Sequence, residues 1–149
     1  MKAVTAAQTF RGSVSAAESR WYDLTRWASW VDGFDHIVET SGGWPERGST
    51  VTWQSGPAGR GRVTERVTAY EPLDGQTLDV EDDAITGRQR VAFTPADEHV
   101  EVKLSLEYEI KKRSFFTPLI DLLFIRRAMA ASLQATLGRF GAELSERAR

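Results

Sequence analysis

Cysteine is absent from the 149 residues, which excludes a disulfide, a thiolate metal site and a cysteine nucleophile. Histidine is scarce, because only His36 and His99 are present and they lie far apart in the sequence. Asp32 and Asp35 stand close to His36, but two carboxylates and one imidazole without a second nearby histidine do not indicate a metal centre. We therefore predict no metal site and no cofactor.

An excess of charge of one sign is also absent. The 19 basic and 21 acidic residues are interspersed and give a net charge of −2, so the chain has no basic stripe for nucleic acid. No G-x-S-x-G motif supports hydrolase chemistry. The segment GPAGRG at 56–61 is typical of a hairpin turn, because a phosphate-binding loop would continue with a lysine–serine pair and a helix.

Long hydrophobic runs are missing. The most apolar stretch, 115–125, is shorter than the roughly 20 residues that span a bilayer, and Pro118 and Asp121 interrupt it. Residues 1–13 lack the continuous apolar core of a signal peptide. We predict a cytoplasmic protein without stable membrane insertion, although 115–125 leaves open a transient membrane contact.

The composition that remains, 41% hydrophobic and 27% charged, fits a single globular domain over 1–149. Ser15, followed three residues later by Glu18, has the pattern of a capping box and predicts the start of a helix. Gly33 interrupts the next segment, which predicts a second short helix rather than a continuation of the first. The preceding residues alternate in polarity and predict a strand with apolar positions Val4, Ala6, Phe10 and Val14.

The middle of the chain has the two-residue period of β-structure, and its end has a helical period. Five strands are predicted, at 49–55, 62–70, 76–82, 88–94 and 100–111. A long helix follows, with Thr117 as N-cap, Pro118 at its first turn, and an apolar stripe of Leu119, Leu123, Ala130, Leu133, Leu137, Phe140 and Leu144. Since one apolar sheet face needs one cover, we expect an α+β fold whose curved antiparallel sheet of about six to seven strands wraps round the terminal helix.

Four stretches of the chain are informative in their order and spacing: VSAAESRWYDL, RWASW, GRVTERVTAYEP and TPLIDLLFIRRAMAASLQATLGRFGAEL. Together with the order of elements, they resemble the START-like (SRPBCC) superfamily, and in particular its polyketide cyclase/dehydrase branch. Ala17 and residues 31–33 depart from that pattern, because the family often has a proline near each place. The resemblance implies a helix-grip fold with a deep, largely apolar cavity between sheet and terminal helix, and members that bind or transform lipids, polyketides or quinones.

Large aromatic side chains supply most candidate cavity walls. Trp27 and Trp30 lie on one side of a helical turn and either close the end of the core or, for Trp30 together with Phe34, line a cavity mouth. With the family's cavity, the inward strand positions of other aromatic and aliphatic residues become its lining. The predicted ligand-binding set is Trp30, Phe34, Trp53, Glu65, Val67, Val80, Phe93, Tyr108, Leu122, Met129 and Leu133.

Glu65 is the candidate acid or base, because it interrupts the apolar face of its strand. A carboxylate there is costly to bury, so it either reaches water at a bulge or strand end, or serves as a polar anchor with a raised pKa inside a cavity. Gln8 on the first strand is a weaker candidate for such an anchor. Arg126 is expected in solvent, and the alternative is that it reaches the cavity.

Three functions fit these observations. The first is a protein, monomer or homodimer, that binds a small hydrophobic molecule in its cavity. The second is a cyclase/dehydratase-type enzyme that uses cavity acids or tyrosines to move protons. The third is a lipid or quinone chaperone that docks on membranes through 115–125. Because Glu65 is the one ionisable group that the sequence places on an inward face with any certainty, we favour binding.

Overall fold

The computed structural model describes residues 2–57, 59–111 and 119–147, and the side chains of 3–57, 59–111 and 123–146. A short 3₁₀ turn, Leu24–Arg26, connects the first two helices. The elements in chain order are β1 (Lys2–Arg11), α1 (Val14–Trp21), α2 (Trp27–Trp30), β2 (Phe34–Ser41), β3 (Thr50–Ser55), β4 (Arg62–Glu71), β5 (Gly75–Glu81), β6 (Ile85–Ala96), β7 (His99–Ile110) and α3 (Leu119–Arg147).

The strands form one antiparallel sheet in the order β1-β7-β6-β5-β4-β3-β2. Alternate residues of β7 are buried, so one face of the sheet meets the core and the other meets solvent. Helix α3 crosses the buried face, with contacts to β1 and β7, and α1 and α2 pack beside it. The predicted α+β helix-grip architecture, with seven strands and two short helices after the first, is confirmed.

The start of α1 differs from the prediction. Val14 is the first helical residue and does not continue β1, because Gly12 with φ +136° turns the chain out of the sheet. The N-cap is Ser13, whose Oγ accepts a 3.0 Å hydrogen bond from the Ala16 N–H. The predicted capping box is therefore wrong: the Glu18 carboxylate reaches across to the Leu73 N–H at 2.8 Å.

Strand β2 was not predicted. Its side chains are half-buried or exposed along its whole length, so no polar–apolar alternation marks it in the sequence. Two register shifts in its pairing with β3, between Phe34 and His36 and between Ile37 and Glu39, disturb the period further. Phe34, which the sequence suggested at a cavity mouth, therefore begins a strand.

The core is aromatic at its centre. The rings of Trp21 and Trp30 lie 4.6 Å apart between centroids, and each lies 5.0 Å from Phe140 of α3. Trp27 and Trp30 are both buried, so the two tryptophans of α2 close the core. In α3, Leu133, Leu137, Phe140 and Leu144 form the predicted buried stripe. Leu123 is half-exposed, contrary to prediction, and Thr117, Pro118 and the Leu119 side chain lie outside the described residues.

Candidate functional site

A small cavity lies between the sheet, α2 and α3. Its volume is about 50 Å³, which is room for a few water molecules and far below the roughly 300–1,000 Å³ of pockets that hold drug-sized ligands. The resemblance implies a deep cavity, but the cavity in this structure has a small volume. Tryptophans from four elements or loops form much of its wall: Trp21, Trp27, Trp30, Trp44 and Trp53.

The structure brings four of the predicted site residues together. Trp30, Trp53, Glu65 and Leu133 line the cavity. Other members of the predicted set are buried in the core but do not line it, namely Val67, Val80, Phe93 and Tyr108. Phe34 and Met129 are half-buried at the margin of the core, and the Leu122 side chain lies outside the described residues. Ligand contact by any of these residues stays a prediction.

Glu65 lies in the interior. On β4 it pairs in register with Val51 of β3 and Val80 of β5, and only 6% of its surface is exposed. The nearest irregularity in the β4–β5 pairing lies further along, between Val67 and Ala69, so no bulge carries Glu65 to water. Its register partners on both adjacent strands are thus apolar, and Glu65 is one of the residues that line the cavity.

The environment of Glu65 raises the pKa of its carboxyl group from 4.5 to about 7. Burial is the largest cause, because it penalises the charged form. The Arg60 guanidinium and the Trp53 indole N–H act in the opposite direction and favour the carboxylate. A carboxyl group with this pKa can both accept and donate a proton near neutral pH, as general acid–base chemistry requires.

Arg60 is a cavity residue that the sequence did not reveal, because it lies in the hairpin loop 56–61. Its Nε donates a 2.7 Å hydrogen bond to Asp82 Oδ2. The other Asp82 oxygen accepts from the N–H groups of Ala84 and Ile85 at 2.8 and 2.9 Å, so this buried carboxylate is fixed by the turn before β6. The guanidinium carbon also lies 5.7 Å from the Trp53 ring centroid, within cation–π range. Arg60 is thereby held at the cavity wall.

Unpartnered polar atoms concentrate on this cavity. Over the part of the chain that is described, five buried side-chain nitrogen or oxygen atoms have no hydrogen-bond partner. Four belong to cavity-lining residues: Trp30 Nε1, Trp53 Nε1, Arg60 Nη2 and Glu65 Oε2. Buried polar atoms in native proteins are nearly always hydrogen-bonded, so such a group calls for a water or ligand partner.

Asp32 joins the corner between α2 and β2 to helix α3 beside the cavity. Its carboxylate accepts hydrogen bonds from Ser132 Oγ at 2.8 Å and from Arg139 Nη1 at 3.0 Å, both on α3. Its backbone N–H donates to Thr136 Oγ1 at 3.0 Å. Asp32, Ser132 and Thr136 all line the cavity, and Asp32 is partly exposed, so these hydrogen bonds join the α2–β2 corner to α3 beside the cavity.

Two weaker candidates lie elsewhere. Gln8 is exposed in a groove beside Gly138 and Gly141 of α3, so its predicted place in the cavity is wrong. The reason is that glycine offers no side chain to cover this part of β1. Arg126 is exposed, as expected, although its charge slightly opposes the rise that burial causes in the Tyr108 pKa. Among the described residues, no group of three or more potential ligands could hold a metal ion.

Comparison with known proteins identifies the family. The family model described as "Polyketide cyclase / dehydrase and lipid transport" matches residues 1–145. The chain belongs to this family. No curated protein sequence gives a significant match. Within the described residues, no helix is both long and apolar enough to cross a bilayer.

Solved structures share the fold of this polyketide cyclase/dehydrase family member at low sequence identity. The Zhui aromatase/cyclase from Streptomyces sp. R1128 is 14% identical with a TM-score of 0.82, covering 99% of this chain and 96% of that chain. A START superfamily protein from Mycobacterium smegmatis is 12% identical with a TM-score of 0.76, covering 97% of each. Norcoclaurine synthase from Thalictrum flavum, in complex with dopamine and hydroxybenzaldehyde, is 12% identical with a TM-score of 0.70, covering 97% and 87%.

Proposed function

We propose that the protein binds a compact, mainly apolar molecule with a polar end in the cavity between the sheet, α2 and α3. The observation that carries this proposal is that four unpartnered buried polar atoms belong to residues lining a tryptophan-rich cavity. Apolar walls with a few convergent polar groups are the usual composition of a small-molecule site. Family membership and fold support the same class of function.

The cavity volume restricts the size of the ligand. At about 50 Å³ the cavity holds only a very small molecule unless it widens on binding. The place for widening is the α2–β2 corner, because Asp32 joins it to α3 through side-chain hydrogen bonds at a partly exposed position. Gly33, with φ +75°, lies at the same corner. We therefore propose that a ligand enters by separating this corner from α3.

An enzyme of the cyclase/dehydratase type is the second candidate. The observation in its favour is Glu65, a buried carboxyl group with a pKa raised to about 7 in the cavity wall. Such a group could take a proton from an activated carbon and return it to a leaving hydroxyl. The aromatase/cyclase among the structures of the same fold is consistent with this alternative.

Native mass spectrometry of the purified protein, compared with its denatured mass, tests the binding proposal. We expect an excess mass of a few hundred daltons or less, or uptake of a neutral probe such as N-phenyl-1-naphthylamine with quenching of tryptophan fluorescence. Failure of both, in a protein shown to be folded by circular dichroism, would contradict the proposal.

The variant Glu65→Gln separates binding from catalysis. If the protein is an enzyme, this variant still binds a substrate from a panel of aromatic and poly-ketone compounds but does not turn it over. Glu107→Gln is the matched control, because Glu107 is an exposed carboxylate on the outer face of β7. Equal product formation by both variants would remove Glu65 from the chemistry.

We propose a cytoplasmic protein that acts as monomer or homodimer and contacts membranes at most transiently. Leu123 and Phe124 of α3 are exposed and supply an apolar surface for such contact. Light scattering and co-sedimentation with phosphatidylglycerol vesicles test the oligomeric state and the membrane contact.

A further inference from the structure

Most of the unpartnered polar atoms in the cavity-lining residues are hydrogen-bond donors. Trp30 Nε1 and Trp53 Nε1 are donors only, and Arg60 Nη2 carries donors only. Glu65 Oε2 is the one acceptor in this group. The Trp53 indole N–H lies close enough to Glu65 to favour its carboxylate form. Even so, Trp53 Nε1 and Glu65 Oε2 both lack a partner with hydrogen-bond geometry. The polar end of a fitting ligand must therefore be rich in acceptors.

Arg60 is built to receive an anion. Its Nε is already bound to Asp82, and Asp82 is itself held by two backbone N–H groups, so the guanidinium keeps one orientation. Its Nη2 is buried without a hydrogen-bond partner, and Arg60 is one of the residues that line the cavity. A guanidinium fixed by a buried acceptor behind it binds a planar, acceptor-only group in a defined geometry.

From this arrangement we propose that the cavity takes a small carboxylic acid, bound as its carboxylate to Arg60 Nη2 and the Trp53 indole N–H. The proposal rests on the proposed function, because it names the chemistry of the ligand's polar end. A carboxylate offers two oxygens and no donor, which matches the excess of donors in the wall. Its apolar remainder lies against the tryptophan side chains and Leu133.

Glu65 takes part as a neutral donor. With an anion bound nearby, the protonated carboxyl group of Glu65 donates its O–H to a ligand oxygen, whereas the ionised form repels the ligand. The residues facing Glu65 from the adjacent strands, Val51 and Val80, are apolar. The charged side chains that share the cavity with it are Asp32 and Arg60. Binding should therefore be stronger at pH 6 than at pH 8.

Matched acid and amide probes test the proposal. Benzoate and phenylacetate are compared at pH 6 with benzamide and phenylacetamide, by calorimetry and by tryptophan fluorescence. We expect each acid to bind about tenfold or more tightly than its amide. Equal affinities for acid and amide would overturn the carboxylate proposal while leaving an apolar binding site in place.

The double variant Arg60→Met with Asp82→Asn removes the cation together with its buried counter-ion. The new amide oxygen at position 82 still accepts from the Ala84 and Ile85 N–H groups, which protects the fold. The control is Arg88→Met with Asp79→Asn, the same change in an exposed ion pair. We expect the tighter binding of each acid than of its amide to disappear in Arg60→Met with Asp82→Asn and to remain in the control. If the acids still bind more tightly in the Arg60→Met with Asp82→Asn variant, Arg60 does not bind the carboxylate.

A neutral probe distinguishes failure of this inference from failure of the proposed function. If N-phenyl-1-naphthylamine binds but neither acid does, the carboxylate proposal is wrong and hydrophobic binding stands. If the neutral probe, the acids and the amides all fail to bind the folded protein, both proposals are wrong.

Discussion

The Ser132 hydroxyl of α3 donates a 2.8 Å hydrogen bond to the Asp32 carboxylate at the corner between α2 and β2. Arg139, nearly two turns further along the same helix, donates to the other oxygen of that carboxylate. One side chain thus holds a loop corner against the helix that covers the sheet. Because Asp32 and Ser132 also line the cavity, we expect this contact to control how readily the cavity opens.

Asp32→Ala should accelerate exchange of a neutral ligand. Removing the carboxylate leaves Ser132 and Arg139 without their acceptor, so the corner separates from α3 more easily. We expect association and dissociation rates of N-phenyl-1-naphthylamine to rise severalfold together, measured by stopped-flow fluorescence, with a loss of about 1–2 kcal/mol in unfolding free energy. Asp35→Ala is the control, since this exposed carboxylate pairs with His36 at the surface. Unchanged rates in Asp32→Ala would show that entry lies elsewhere.

The raised pKa of Glu65 makes stability depend on pH. Its pKa is about 7 in the folded protein and near 4.5 in the unfolded chain, so the folded state binds the extra proton between these values. The unfolding free energy should fall as pH rises from 4.5 to 7, by at most about 3 kcal/mol, and stay low above pH 7. Glu65→Gln should remove this decline, so that the variant is more stable than the native protein at pH 8. Urea titrations across this pH range measure the unfolding free energy, with Glu107→Gln as the control. Identical pH profiles for the native protein and Glu65→Gln would refute the predicted role of Glu65.

Glu143→Gln should destabilise the fold strongly. Glu143 Oε1 of α3 accepts from Arg20 Nη1 of α1 at 3.3 Å and from Arg26 Nε at 2.6 Å, and both Arg20 and Glu143 are buried. Loss of the negative charge leaves the buried Arg20 guanidinium uncompensated, at a cost of about 3–5 kcal/mol in urea unfolding. Glu146→Gln, one turn away on the exposed side of α3, should change stability by less than about 0.5 kcal/mol. A loss below 1 kcal/mol in Glu143→Gln would contradict the assigned role of the buried pair.

Two glycines of α3 should respond oppositely to alanine. At Gly138 an added Cβ meets no atom within 4 Å, so Gly138→Ala should raise stability by up to about 1 kcal/mol through helix propensity. At Gly141 the Cβ would lie 2.5 Å from Phe10 Cε1, and the Phe10 ring is held edge-on against Phe140. Gly141→Ala should therefore lower the thermal midpoint while Gly138→Ala raises it. Equal shifts for the two variants would show that Phe10 yields freely.

The sequence predicted most where burial is one-sided and regular. In β7, six apolar residues alternate with polar ones, and the structure buries that face. The same rule predicts that Glu65 lies on the inward face of β4, because Val63 and Val67 on either side of it in the two-residue period are apolar. The structure buries all three residues. The rule failed for Val14, since Gly12 ends the strand before the apparent alternation does.

The remainder depends on contacts that no local pattern records. Arg60 lines the cavity and is held by a hydrogen bond to Asp82, which lies 22 residues further along the chain. The sequence around Asp32 suggests at most a metal ligand, because its actual partners Ser132 and Arg139 lie about a hundred residues away. Strand β2 is an exposed, bulged edge, so its sequence is free of the burial constraint that produces a period.

Strand β1 pairs along its whole length with β7, Lys2 opposite Tyr108 and Arg11 opposite His99. During synthesis β1 therefore leaves the ribosome long before the strand that satisfies its backbone. Until β7 and α3 follow, Val4, Ala6 and Phe10 have no native partner on either the sheet or the helix side. Pairing of the first strand with the last gives a high contact order and slow folding. Until that pairing forms, the partly folded chain exposes the apolar side chains of β1 to solvent.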